Sequence, residues 1–111
     1  MGSINLSDYK EIYFETAREY VKNLFKSSAE LEKDFSNIDA LKQLHISAHS
    51  LRSQSHVMNY MKIAGFAQSI ESSARNLLAN DIELDKRTFD SIKINVNNLN
   101  SAFTEIEKEE T

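Results

Sequence analysis

The chain has 111 residues and a net charge of −4, with two glycines and neither proline nor cysteine. This length fits one domain that buries a single core without a disulfide or a structural metal. The lack of cysteine excludes thiolate zinc sites and cysteine nucleophiles. The acidic balance argues against nucleic-acid binding. Because every apolar run is soon interrupted, we expect neither a membrane span nor a signal peptide, and we predict a cytoplasmic domain.

The scarcity of glycine and proline favours long helices joined by short connections. The first predicted helix runs from about Ser7, its candidate N-cap, to about Lys33. Apolar residues recur along it at helical spacing: Tyr9, Tyr13, Ala17, Tyr20 and Leu24. Residues that favour turns, at 34–37, end this helix.

The second predicted helix begins at Ile38, with Asn37 as its cap, and runs to about Met58. Its apolar stripe, interrupted only by a serine, consists of Leu41, Leu44, Ala48, Leu51, Ser55 and Met58. This spacing is typical of one packed face of a helix. Asn59 is expected to end the helix, since asparagine tolerates the left-handed backbone conformation found at helix ends.

The third helix is predicted from about Lys62 to Ala79, and residues 80–81 end it. The fourth is predicted from near Asp85 to about Lys108, with an acidic end that we expect to fray. Their apolar stripes are Ile63, Phe66, Ala67, Ile70, Ala74, Leu77 and Leu78 on the third, and Phe89, Ile92, Val96, Leu99, Phe103 and Ile106 on the fourth. Four amphipathic helices with short links predict an all-α fold, an antiparallel up-down four-helix bundle.

All three histidines of the chain, His45, His49 and His56, lie on the second predicted helix together with Arg52. At about 100° per residue they share one strip, roughly a quarter turn from the apolar stripe, so we expect them at the core edge or in solvent. Taken singly, they are ordinary surface residues. The spacing of His45 and His49 also allows a helical zinc pair, although no third ligand is evident unless Glu71 or His56 serves.

The segment Ala48-His49-Ser50-Leu51-Arg52 resembles the signature of histidine-phosphotransfer (HPt) domains, which is roughly Ala-His-Thr-Leu-Lys-Gly on the second helix of a four-helix bundle. The resemblance is closest to the N-terminal phosphotransfer domain of chemotaxis-type (CheA) histidine kinases. It implies one HPt domain over residues 1–111 in which His49 accepts the phosphoryl group.

The chemotaxis-type domains have a glutamate 22 positions after that histidine, and this sequence has Glu71 there. A carboxylate that accepts a hydrogen bond from one imidazole nitrogen fixes the tautomer and leaves the other nitrogen nucleophilic. Arg52, where the family usually has lysine, is expected to neutralise phosphate charge. Arg75, four residues after Glu71, could compete for the carboxylate as a helical ion pair.

Several positions depart from the family pattern. Ser53 replaces a glycine, and Gln68 replaces a polar residue that is often histidine; with His45, these are possible supporting residues. Gln54 and His56 also stand where small residues are common. These departures leave docking and transfer rate open, and they motivate the alternative of a non-catalytic HPt-like bundle that acts as a docking module.

The resemblance implies a phosphorelay module that passes a phosphoryl group from His49 to an aspartate of a response-regulator receiver domain. The chain lacks a glycine-rich phosphate loop, so a histidine kinase domain, in cis or in trans, or a phosphorylated receiver must be the donor. We expect no cofactor or metal of its own, and any Mg²⁺ would belong to those partners. The resemblance slightly favours a domain of a larger kinase over a free-standing protein.

Overall fold

A computed structural model describes residues 6–110, and every regular element in that range is an α-helix. The helices are α1 (Leu6–Lys33), α2 (Ile38–Val57), α3 (Met61–Ala79) and α4 (Lys86–Glu110). Helices α1 and α3 each pack against both α2 and α4. Because the links are short, successive helices run antiparallel, and the predicted all-α four-helix bundle is confirmed.

Side-chain caps mark the starts of two helices. The Asn37 side chain accepts a hydrogen bond from the Ala40 amide at 3.0 Å, which confirms the predicted cap of α2. Asp85 does the same for the Thr88 amide at 2.7 Å at the start of α4. The prediction for Ser7 is wrong: α1 already begins at Leu6, and an N-cap residue needs a non-helical backbone.

The ends of α2 and α3 have the same backbone design. Asn59 (φ 63°) follows α2 and Asp81 (φ 49°) follows α3, both in the left-handed region. The Tyr60 amide then donates to the Ser55 carbonyl at 2.8 Å, which is the six-to-one hydrogen bond of a Schellman motif. The prediction for Asn59 is therefore confirmed. The resulting tight link fixes how α2 and α3 lie against each other.

The predicted apolar stripes of α2, α3 and α4 form most of the core. Leu44, Leu51, Ile70 and Leu99 of these stripes are completely buried. The predicted stripe of α1 is partly wrong, because Tyr9 is 51% exposed and lies on the surface. Three α1 residues outside that stripe are buried instead: Phe14, Val21 and Leu31. The face that α1 turns toward α2 and α4 is therefore wider than one stripe and begins a turn later, at Tyr13.

Ser55, the polar member of the α2 stripe, pairs with a tyrosine inside the core. Its hydroxyl lies 2.8 Å from the Tyr13 hydroxyl, so each buried group has a hydrogen-bond partner. Burial raises the pKa of Tyr13 to about 12, and the hydrogen bond with Ser55 opposes that rise only in part. Tyr13 therefore stays protonated at neutral pH and joins α1 to α2.

The acidic end of α4 is helical through Glu110, so the expectation that it frays is wrong. Lys10 Nζ lies 2.6 Å from Glu110 Oε2, and Arg18 forms an ion pair with Glu107. These contacts tie the last turns of α4 to α1, and Ile106 packs against the core beside them.

Gly65 lies in the second turn of α3 and is exposed, and a Cβ atom there would meet no atom within 4 Å. Glycine in a helix interior is less stable than alanine by roughly 1 kcal/mol because it loses more backbone entropy on folding. We therefore expect Gly65→Ala to raise the free energy of unfolding in urea by about that amount. A free energy of unfolding below that of the wild type would instead show that the added methyl group clashes with a neighbouring atom.

Candidate functional site

His49 lies in the second half of α2 and faces α3. Its Nδ1 is 2.7 Å from Oε2 of Glu71, so the predicted pair of residues is in hydrogen-bond contact. The two side chains differ sharply in exposure: that of His49 is 54% exposed, whereas that of Glu71 is only 3% exposed. A buried carboxylate therefore fixes the orientation of an accessible imidazole through a hydrogen bond.

The proton positions on His49 follow from the chemistry of its neighbour. A carboxylate can only accept, so Nδ1 must donate the hydrogen bond to Glu71. Arg52 also places a guanidinium nitrogen 3.2 Å from Nδ1, but a protonated Nδ1 cannot accept a hydrogen bond from it. In the neutral ring the lone pair is consequently on Nε2, the nitrogen that a nucleophile needs.

Two arginines also bind Glu71. Nε of Arg52 donates to Oε1, and a terminal guanidinium nitrogen of Arg75 lies 3.0 Å from Oε2. Burial alone would raise the pKa of Glu71, but hydrogen bonds from Arg52, His49 and Arg75 outweigh it and lower the pKa to about 2. The carboxylate is therefore ionised at neutral pH, as an acceptor for His49 must be.

Comparison with known protein families agrees with this arrangement. Residues 8–106 match the family described as Hpt domain. The chain belongs to the HPt family. No curated protein and no solved structure was found with significant similarity. Membership of this family supports a role in histidine phosphotransfer within a phosphorelay. HPt domains work there together with kinases and receivers. The closer likeness to chemotaxis-type kinases stays a prediction.

The sequence predicted the Glu71 partner of Arg75 in this HPt domain, but it did not predict that Arg52 also binds Glu71. Arg75 pairs with Glu71 as foreseen, yet it shares Oε2 with His49 and does not displace it. Arg52 was predicted as a partner for phosphate, and in the unphosphorylated domain its guanidinium is engaged on Glu71. Its predicted contact with a phosphoryl group stays a prediction.

The possible supporting residues of the HPt domain occupy different surroundings. The His45 ring stacks beside that of His49 at a centroid distance of 6.4 Å. Its buried Nε2 has no hydrogen-bond partner among the residues described. Gln68 is exposed one turn before Glu71, and Ser53 is exposed one turn after His49. Neither makes a side-chain hydrogen bond within 6–110.

An apolar groove of about 240 Å³ runs between α1 and α2 of the HPt domain, and Ser53 and Gln54 line it. We call it the α1–α2 groove. The side chains that give it its apolar surface are Tyr9, Ile12 and Val57, which are 51%, 56% and 81% exposed. Sequence reasoning missed this groove. The signal was present, because Ile12 and Val57 are apolar residues outside the predicted core stripes.

The zinc alternative finds little support in the HPt domain. Within residues 6–110 no three side chains of histidine, cysteine, aspartate or glutamate are grouped so that they could hold a metal ion. The strip that includes His45 and His49 therefore offers no complete ligand set among the described residues. In the same range, no helix combines the length and apolarity needed to cross a membrane.

Proposed function

We propose that residues 1–111 form one phosphotransfer domain in which His49 accepts a phosphoryl group on Nε2 and passes it to an aspartate of a receiver domain. The observation that carries this proposal is the 2.7 Å contact between His49 Nδ1 and the buried Glu71 carboxylate. It leaves Nε2 unprotonated on a side chain that is more than half exposed, so a partner's active site has access to it.

The chemical step needs no base to remove a proton. The Nε2 lone pair attacks phosphorus, an N–P bond forms, and the bond from phosphorus to the donor oxygen breaks, so that the oxygen leaves with the electron pair. The ring gains positive charge in this step while Nδ1 keeps its proton. The ionised Glu71, hydrogen-bonded to Nδ1, stabilises that developing charge from a fixed position.

The return step reverses these changes on a receiver. A carboxylate oxygen of the receiver aspartate attacks phosphorus, the N–P bond breaks, and Nε2 recovers its lone pair. A kinase domain that carries its own nucleotide, or a phosphorylated receiver, is the donor in the forward direction. We propose that the receiver docks on the α1–α2 groove, because Ser53 on its edge is only one turn from His49. An apolar docking face of this kind excludes water from the transfer site.

The test uses the whole chain and two donors, an active chemotaxis-type kinase domain with labelled ATP and a phosphorylated receiver. We expect a label on the chain that is labile in acid and stable in base, as phosphohistidine is. The label should then move to an unphosphorylated receiver added in excess. A chain that binds a receiver but takes no label from either donor would instead be the non-catalytic docking module. Ser53 and Gln54, which depart from the family pattern and line the groove, are the reason to consider that alternative.

A charge in the α1–α2 groove should separate docking from chemistry. We expect Val57→Asp to slow transfer to the receiver by about tenfold or more, since losing one central apolar anchor of an interface destabilises it by at least about 1–2 kcal/mol. Labelling by a small phosphodonor should be unchanged, because the 81% exposed Val57 is two turns from His49. The matched control is Ile94→Asp on α4, which is 60% exposed. Equal rates for the two variants would contradict docking on this groove.

A further inference from the structure

Glu71 has more cationic partners than a single carboxylate needs. Arg52 binds one of its oxygens, and Arg75 shares the other with His49. Ion pairs on a protein surface contribute little to stability, but this acceptor is only 3% exposed and is poorly screened by water. With a neutral imidazole, one carboxylate faces two guanidinium groups, so the site carries one surplus positive charge.

Phosphorylation changes that balance. A phosphoryl group brings a charge of about −1.5 to −2 and three strong acceptor oxygens, which guanidinium groups bind well. One arginine that turned to the phosphoryl group would leave Glu71. If the phosphorylated ring, which is cationic while Nδ1 keeps its proton, were then the only cation at the carboxylate, burial would favour transfer of that proton to Glu71 and so weaken the hold of the carboxylate on Nδ1. The second arginine removes this conflict.

The two arginines are not equivalent in position. Arg52 lies three residues after His49 on α2, and its terminal nitrogen already approaches the imidazole at 3.2 Å. Arg75 lies on α3 four residues after Glu71, and its ion pair is to Oε2, the oxygen that accepts from Nδ1. Arg52 is therefore the arginine that can follow the phosphoryl group, and Arg75 the one that can stay with the carboxylate.

We propose that Arg75 is a positioning residue, which keeps Glu71 fixed on His49 Nδ1 while Arg52 moves from Glu71 to the phosphoryl group. This inference rests on the proposed function of His49. In the unphosphorylated domain either arginine alone suffices to hold Glu71. In the phosphorylated domain Arg75 is required.

The exchange of the His49 Nδ1 proton with water, followed by nuclear magnetic resonance, reads this arrangement directly. The proteins are the wild type, Arg52→Gln, Arg75→Gln and the double variant, each before and after phosphorylation with phosphoramidate. Before phosphorylation, we expect slow exchange in both single variants and exchange faster by about tenfold only in the double variant, as for loss of a hydrogen bond worth about 1–1.5 kcal/mol. After phosphorylation, we expect the faster exchange in both proteins that lack Arg75, which are Arg75→Gln and the double variant, and slow exchange in Arg52→Gln.

Two further variants keep the test specific. Arg75→Lys should restore slow exchange in the phosphorylated domain, because lysine also supplies a cation to Oε2. Arg18→Gln, which removes an arginine–glutamate pair at the distant α1–α4 contact, should behave as the wild type in both states. The Arg75 side chain is 59% exposed, so its replacement should leave the bundle folded.

Slow exchange in phosphorylated Arg75→Gln would overturn the inference and leave the proposed function intact. So would fast exchange in unphosphorylated Arg75→Gln, since Arg52 then could not hold Glu71. A wild-type chain that takes no phosphoryl group from phosphoramidate, a kinase domain or a phosphorylated receiver would overturn the inference together with the proposed function.

Discussion

His49→Gln should remove all acid-labile phosphate from the chain and leave the bundle folded. Glutamine has no nitrogen lone pair that can attack phosphorus, so the expected loss is complete. Its amide can still donate a hydrogen bond to Glu71, and Arg52 and Arg75 continue to neutralise that carboxylate. Because the His49 side chain is 54% exposed, the free energy of unfolding should change by only about 0.5 kcal/mol.

The other two histidines of α2 provide matched controls for this experiment. His56→Gln removes an exposed imidazole two turns further along the helix, and His45→Gln removes one whose Nε2 is buried. Both variants should keep the label, measured as radioactivity that survives alkali and is lost in acid. Label that persisted in His49→Gln and disappeared in one of the two controls would show that the phospho-acceptor is the histidine replaced in that control and not His49.

The fold followed from local signals that act at short range. Asn37 marks the start of α2 and Asn59 marks its end, and both were predictable because capping and the left-handed conformation are properties of single residues. The prediction that the end of α4 frays was wrong because tertiary contacts with α1 hold that end in the helix. Lys10 lies 100 positions from Glu110 in the sequence, and no local pattern predicts that they meet.

The site was predictable to the extent that helix geometry determines it. The 22-residue spacing from His49 to Glu71, together with the family resemblance, predicted a contact that measures 2.7 Å. The position of Arg52 was harder, because a long side chain reaches several anions and the sequence does not say which one it binds. The α1–α2 groove depends on how two helices lie side by side, so Ile12 and Val57 became meaningful only once both were placed.

Replacing Glu71 by glutamine should slow phosphorylation of His49 by about 10²-fold, the scale for losing one preorganised electrostatic partner. Glutamine can present either its oxygen or its amide group to Nδ1. When the amide group donates, Nδ1 must accept, the proton moves to Nε2, and the nucleophilic lone pair is lost. Even with the oxygen presented, a neutral side chain no longer stabilises the positive charge that develops on the ring.

The same variant should show a distinct dependence of stability on pH. The pKa of Glu71 falls from an ordinary 4.5 to about 2 in the folded domain, which corresponds to about 3 kcal/mol at most before screening of the two partly exposed arginines reduces it. Because the folded pKa is the lower one, this stabilisation is fully present above pH 4.5 and is lost as the pH falls towards 2. Urea unfolding should therefore find Glu71→Gln less stable than the wild type at pH 7, with a difference that narrows below pH 4.5.

Glu32→Gln is the matched control, since Glu32 pairs with Lys93 at 3.1 Å but its side chain is 55% exposed. A solvated pair of this kind should give a difference from the wild type that is small at every pH. If Glu71→Gln were as stable as the wild type at pH 7 and phosphorylated at the same rate, the buried carboxylate would be neither a structural anchor nor a partner in the chemistry. Reduced phosphorylation with unchanged stability would instead mean that the arginines gain as much from solvent as from Glu71, and that its role is confined to His49.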